Sequence, residues 1–253
     1  MKQGKKILCI ICLMLLSVFV GVSQNHKFMN TDTASKFIEC DVHALAGVSV
    51  FTQDYKNHVP MMSEVSSSPG CGWGIGATVR FALKDYLAIG TQLDVLALNN
   101  KYSMIMVDPN NHSQISAIVT NQSYCISIPV FASLRFNIDE SVKWNIDLGC
   151  YYNFGIGGTQ NGDTYTTFEN NIGQLVTEYK HYEWDYYNEK HPLIHGIDDV
   201  DFGFIIGTGI LVYNHYRVGV EARIGTKNAT TDEGTIRPNV KSHLLAMKIG
   251  YQF

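Results

Sequence analysis

The chain has 253 residues, enough for one domain with a full core, and a composition of 45% hydrophobic and 17% charged residues that suggests neither disorder nor low complexity. Its net charge of -4 is mild and no basic cluster recurs, so the electrostatic footprint of a nucleic-acid binder is missing.

The amino-terminal Met1-Lys2-Gln3-Gly4-Lys5-Lys6 is positively charged, Ile7 to Val20 is apolar apart from Ser17, and Gly21-Val22-Ser23 supplies small residues. A charged start, a short apolar core and a small-residue exit describe a secretory signal peptide over 1–23, cleaved after Ser23. The apolar run is shorter than the roughly 20 residues a spanning helix needs. Cys9 and Cys12 form a CxxC inside this removable segment and carry no redox or lipid-anchor expectation. Residues 24–36 then read as a periplasmic tail, and 37–253 as the domain proper.

From residue 37 onward the dominant signal is alternation with period two, the mark of strands with two different faces. Eight strands are predicted, at about 38–53, 70–83, 86–99, 121–136, 142–158, 201–213, 215–226 and 241–253. Within 216–225, Tyr216, Val218, Val220, Ala222 and Ile224 oppose Arg217, Gly219, Glu221, Arg223 and Gly225. The connections alternate in length. Lys84-Asp85, 137–141 and Asn214 are tight, whereas 54–69, 100–120, 159–200 and 227–240 are long. Short periplasmic turns and long outward loops are the rule of membrane barrels, so the expected fold is all-β: an eight-stranded antiparallel up-and-down transmembrane β-barrel.

A secreted, lipocalin-like barrel with an apolar pocket is the alternative, and the distribution of charge decides against it. The polar face carries both signs: Glu39, Asp41, Asp94, Asp147 and Glu221 against Arg80, Arg135, Lys143, Arg217, Arg223 and Lys248. Buried charges persist when paired, so these residues are expected to form a ladder filling the lumen. The same face is rich in glycine, which leaves room for long side chains. On the apolar face aromatics gather at strand ends. Trp73, Tyr124, Tyr152, Phe154, Phe202 and Phe204 mark one end, and Phe81, Phe136, Trp144, Tyr216, Tyr251 and Phe253 the other. Two aromatic girdles around an aliphatic band describe a lipid-contacting surface. An eight-stranded interior is just wide enough for its own side chains, so a conducting pore is not expected.

The last strand runs His243-Leu244-Leu245-Ala246-Met247-Lys248-Ile249-Gly250-Tyr251-Gln252-Phe253 and ends on an aromatic. A terminal Phe after alternating apolar positions resembles the pattern by which barrel-assembly machinery recognises its substrates, which implies that machinery as a partner in biogenesis. More narrowly, Tyr124-Cys125-Ile126-Ser127-Ile128-Pro129-Val130, Asp201-Phe202-Gly203-Phe204-Ile205-Ile206-Gly207-Thr208-Gly209 and Val218-Gly219-Val220-Glu221-Ala222-Arg223-Ile224-Gly225 resemble the PorT-like outer-membrane barrel family. The likeness covers most of the mature chain, with Ala132-Ser133-Leu134 standing where that family usually has a basic residue. It implies the barrel fold, location in the outer membrane of a Gram-negative cell, and an accessory role in protein secretion or transport.

For chemistry the sequence offers little. Gly72-Trp73-Gly74-Ile75-Gly76 and 203–209 lack the strand-to-helix junction of a phosphate loop, and no cofactor is expected. Of the mature cysteines, Cys40, Cys71 and Cys150 fall in the outward set and Cys125 inward, roughly opposite residue 153, so four free thiols are predicted. The segment 159–200 is the candidate interaction loop, with Tyr179, His181, Tyr182, Trp184, Tyr186, Tyr187, His191 and His195. Tyr and Trp supply large contact area at low entropic cost, which points to a protein or glycan partner. The bland alternative is a cap whose aromatics pack on one another over the barrel mouth. A metal site from His181, His191 and His195 has neither spacing nor a fixed strand to support it. A rim-site protease or acyl hydrolase built on His191, His195, Asp198 and Asp201 lacks a constrained nucleophile and base, and the chain is not expected to be an enzyme.

Overall fold

The computed structural model describes residues 28–58, 61–108, 113–187, 197–230 and 238–253; the predicted signal peptide lies outside them. Nine antiparallel strands follow in chain order: β1 (Ile38–Gln53), β2 (Met62–Lys84), β3 (Leu87–Asp108), β4 (Ser113–Asn137), β5 (Val142–Glu169), β6 (Leu175–Asp185), β7 (Val200–Val212), β8 (Tyr216–Gly225) and β9 (Val240–Gln252). A single helical turn, α1 (Tyr55–His58), follows β1.

Eight of them close a ring in which β1 pairs with β2, β2 with β3, β3 with β4, β4 with β5, β5 with β7, β7 with β8, β8 with β9, and β9 back with β1. The closing seam runs from Asp41 opposite Gln252 to Gln53 opposite Val240. Closure leaves no unpaired sheet edge within the ring, the condition for burying backbone amides in lipid. The turns at one end are tight. Between β7 and β8, Tyr213 and Asn214 both have positive φ, 53° and 59°, the two left-handed residues of a turn whose twist matches the strands it joins. Residues 28–37 cross this end, where Phe28 stacks on Phe136 with ring centroids 4.9 Å apart.

The other end departs from expectation. The segments 54–69, 100–120 and 159–200, read as loops, are largely strand. β2 begins at Met62, β3 runs on to Asp108, β4 starts at Ser113, and β5 continues to Glu169 before turning back as β6. Strands of 22 to 28 residues on this side contrast with 10 to 16 in β1, β7, β8 and β9. β6 is the ninth strand, absent from the sequence expectation, and pairs with β5 over Thr159–Asp185 to Glu169–Leu175. The barrel wall thus rises on one side into a five-stranded extension, β2-β3-β4-β5-β6. Its backbone groups are satisfied by continued ladder bonds rather than by water. The register of β5 against β4 skips Ile156, between the Tyr124–Gly157 and Cys125–Gly155 pairs, and Gly157 and Gly158 beside it have φ of 155° and 157°.

Outward positions form an aliphatic belt that includes Ile75, Leu93, Val130, Leu148, Ile206, Met247 and Ile249, all exposed. The predicted upper girdle residues are all exposed around it. At the lower end Phe81, Tyr216, Tyr251 and Phe253 are exposed, while Phe136 and Trp144 are partly covered because they pack on each other. A belt of this extent is stable only against lipid or another apolar surface. The four thiols are free, with Cys125 buried and the other three exposed. Cys125 lies opposite Gly155 rather than residue 153, because the β4–β5 turn centres one residue later than expected.

Candidate interaction site

The interior is built in two layers of opposite character. Toward the tight-turn end it is ionic. His43 places Nε2 2.8 Å from Asp94 and Nδ1 3.2 Å from Asp41, and Asp41 also accepts from Arg80. Arg223 donates to Asp94, to Glu221 at 2.7 Å and to Ser127 at 2.7 Å. Arg135 clamps Glu39 through two bonds of 2.7 and 2.8 Å, and Arg217 reaches Asn145 and Gln252. Lys248 lies 3.5 Å from Glu221, and Ser133 donates to Asp147 at 2.5 Å. Of the eleven charges expected inside, nine are buried and Glu39 is partly covered. Lys143 is the exception, sitting at the tight-turn rim with its amine 3.1 Å from Asp85 in the β2–β3 turn. His43 shares the inward parity of Asp41 and Leu45, though no sequence pattern singles it out.

Above this layer the interior turns apolar. Leu45, Leu96, Leu98, Cys125, Leu244 and Ala246 form one cluster. A larger one lies at the level of the extension, where Phe51, Tyr55, Tyr102, Met104, Val119, Tyr186 and Ile197 are buried together. Cavities within the ionic and apolar layers hold no more than about 30 Å³, whereas the mouth at the tight-turn end opens into about 470 Å³ lined by Lys36, Glu39, Arg135, Lys143 and Arg217.

The extension divides the candidate interaction residues into three groups. Tyr186 and Tyr187 are the cap. Tyr186 is 4% exposed and stacks on Phe51, and Tyr187 lies over Gly155, where a Cβ would fall 2.4 Å from its ring. Burial drives the Tyr186 hydroxyl well above the usual phenol range. Tyr182 and Trp184 lie on the inner face of β6, edge to face at 5.9 Å. Trp184 is tied by its indole NH to Gln160, which donates to Asn121, which in turn donates to Asn100. That chain of amides crosses four strands and fastens β6 to the sheet. Tyr179 and His181 stand on the outer face, both bonded at 2.8 Å to Asp163. These bonds hold the Asp163 carboxyl below its ordinary value.

His191 and His195, the remaining members, lie outside the described residues. Among the described residues no group of three or more His, Cys, Asp or Glu side chains is arranged to hold a metal ion. Of the rim acids, Asp198 bonds Lys227 at 2.7 Å and Asp201 accepts from Tyr151 at 3.2 Å. Burial works to raise the Asp198 carboxyl, but the Lys227 ammonium and the Val200 amide together leave the group below its ordinary value.

A ring of eight strands with an aliphatic outer belt and an ionic interior is matched by one family model, the outer membrane protein beta-barrel domain, over residues 22–226. The chain belongs to that family. It is an outer-membrane barrel whose belt faces membrane lipid. Among solved structures it is similar to the attachment invasion locus protein Ail of Yersinia pestis, in complex with the heparin analogue sucrose octasulfate. That match has 11% identity and a TM-score of 0.36, covering 86% of this chain and 100% of that one. It is also similar to OprG of Pseudomonas aeruginosa, at 10% identity and TM-score 0.36 over 89% of this chain and 99% of that one. Neisserial surface protein A shows 12% identity and TM-score 0.32, with coverages of 85% and 97%. A comparison with curated proteins finds no match.

Proposed function

We propose that this barrel is an interaction protein, which presents the β2–β6 extension outside the cell to a protein or glycan partner. The observation that carries the reading is β6 itself: an 11-residue strand, exposed almost throughout, paired on one side only among the described residues and bearing Tyr179 and His181 outward. Long connections face outward in such barrels, which sets the extension on the extracellular side once the leader is removed after Ser23. An edge strand with aromatic outward positions offers both main-chain and side-chain recognition.

The filled lumen supports a structural role over conduction, and the proposal takes the rim as non-enzymatic. Hydrolysis of lipid or peptide by refolded protein, abolished by Asp201→Ala, would overturn that part. A second reading, a PorT-like accessory of secretion, draws on the 124–130 and 218–225 resemblances; it requires secretion to fail when the gene is deleted and to return on complementation.

The test of the main reading compares cells displaying the full chain with cells in which residues 165–182 are excised. Both are assayed for adhesion to immobilised sulfated glycan, to matrix protein and to one another. Loss of at least one of these contacts, with heat-dependent gel migration kept, supports the platform. Equal behaviour of the two in every assay rejects it.

A further inference from the structure

Among the described residues no strand pairs with the second edge of β6, whose first seven residues run Leu175-Val176-Thr177-Glu178-Tyr179-Lys180-His181. The strand holds no proline and no register shift against β5, two of the devices that blunt a sheet edge. Its charge is arranged about a point. Glu178 and Lys180 flank Tyr179 and share one face of the strand, because successive side chains alternate.

If two copies of β6 lie antiparallel and centred on Tyr179, Glu178 of each meets Lys180 of the other, twice over. On the other face Tyr179 meets Tyr179 between two Thr177–His181 pairs. Opposite charges and aromatic pairs directly across strands are the combinations that stabilise a sheet. We infer that the partner of this edge is a second copy of the same chain, joined through β6 into one continuous sheet. The inference rests on the platform reading above and names its occupant.

The geometry also fixes where that copy sits. Two antiparallel strands of one sheet are related by a dyad perpendicular to the sheet, and the contact is isologous. The extension continues the barrel wall upward, so its perpendicular lies near the plane of the membrane. Rotation about such an axis turns the second barrel upside down. The two copies therefore belong to facing membranes rather than to one, and the contact is an adhesion between surfaces. Reach is consistent with this: 11 residues separate the girdle residue Phe154 from Tyr165, which pairs with Tyr179, and only seven separate Tyr165 from Ile172 at the hairpin tip. Each tip therefore stops short of the opposite barrel rim. Ile172 and Leu175, 76% and 74% exposed, would lie over the upper rim of the facing copy.

The test uses phosphatidylcholine vesicles carrying the full barrel, in two colours, with clustering read by two-colour coincidence. Wild-type vesicles are expected to cluster. Lys180→Glu and Glu178→Lys each place like charges opposite one another, and each alone should cluster at least about tenfold less. Mixing Lys180→Glu vesicles with Glu178→Lys vesicles restores both cross-strand pairs and should bring clustering back to within about twofold of wild type. Heat-dependent gel migration verifies that each variant is folded. The pairing is overturned if wild-type vesicles stay single, if either swap clusters like wild type, or if the mixture stays as low as its components. Should any of these occur while excision of 165–182 still removes glycan or matrix binding, the platform stands and only its homophilic partner falls.

Discussion

The two halves of the interior solve the same problem with opposite chemistry. Within the membrane belt the lumen is largely ionic, beside a small cluster of Phe131, Tyr151 and Ile205, and two of its ion pairs cross the ring, Asp94 of β3 with Arg223 of β8 and Glu39 of β1 with Arg135 of β4. Above the belt it is filled by Tyr102, Met104, Tyr186 and their neighbours. The difference follows from what lies outside the wall. In the belt the outward face is apolar because it meets lipid, so burial of apolar groups inward gains little and polar groups supply specificity. In the extension the outer face meets water instead of lipid, and burial of an apolar inner face is what holds the sheet folded.

The sharpest way to break this comparison is to unpair the lower layer. Arg223→Leu removes a guanidinium shared by Asp94 and Glu221 and leaves both carboxylates buried, a change that costs about 3–5 kcal/mol. It should lower the urea midpoint of unfolding for the whole barrel. Met104→Ala, with the wild-type side chain fully buried, should cost about 2–5 kcal/mol through the cavity it leaves. Its loss is expected to stay in the cap, with amides of 100–108 and 113–122 exchanging faster while the belt strands remain protected and heat-dependent gel migration persists. A fall in the midpoint of the entire barrel would erase the distinction between the layers. The smallest expected effect is electrostatic. Asp198 is held below its ordinary value of 3.8 by Lys227 and the Val200 amide. Its ionised form therefore stabilises the rim above that value, and the contribution fades as pH falls below it. Asp198→Asn should flatten the acid dependence of cap stability by less than about 1 kcal/mol, read by fluorescence of Trp184.

The contrast also explains which parts of the molecule could be read from the chain. Where strands cross lipid, alternation is stark, as in Val218, Val220 and Ala222 against Arg217, Glu221 and Arg223, and both the face and the strand are legible. Above the belt Lys101, Ser103 and Ile105 alternate with Tyr102, Met104 and Met106, and the outward set mixes polar with apolar. That pattern resembles a loop unless its richness in β-branched residues, such as Ile118, Val119, Thr164 and Thr166, is weighed. β6 was hidden for the same reason, its outward set combining Thr177, Tyr179, His181 and Glu183. The aromatics of 179–187 stand out as a group in the sequence, but no feature of it separates the two that cap the mouth from the two that face outward. His43 is not legible as a lumen residue because a single imidazole breaks no pattern.

The ionic bonds across the ring bear on how the barrel is made. A hairpin of neighbouring strands can form its ladder alone, but Arg223 cannot meet Asp94, nor Arg135 meet Glu39, until strands far apart around the circumference have curled together. Before that moment Arg223 has only Glu221 of its own strand, and Asp94, Arg135 and Glu39 lack the bonds that cross the ring. The sequence of β8 is thus written for β3, which it never touches along its edge. Sealing of the β1–β9 seam and neutralisation of the interior become one event, so a half-rolled sheet has every reason to finish rolling and a finished barrel little reason to open.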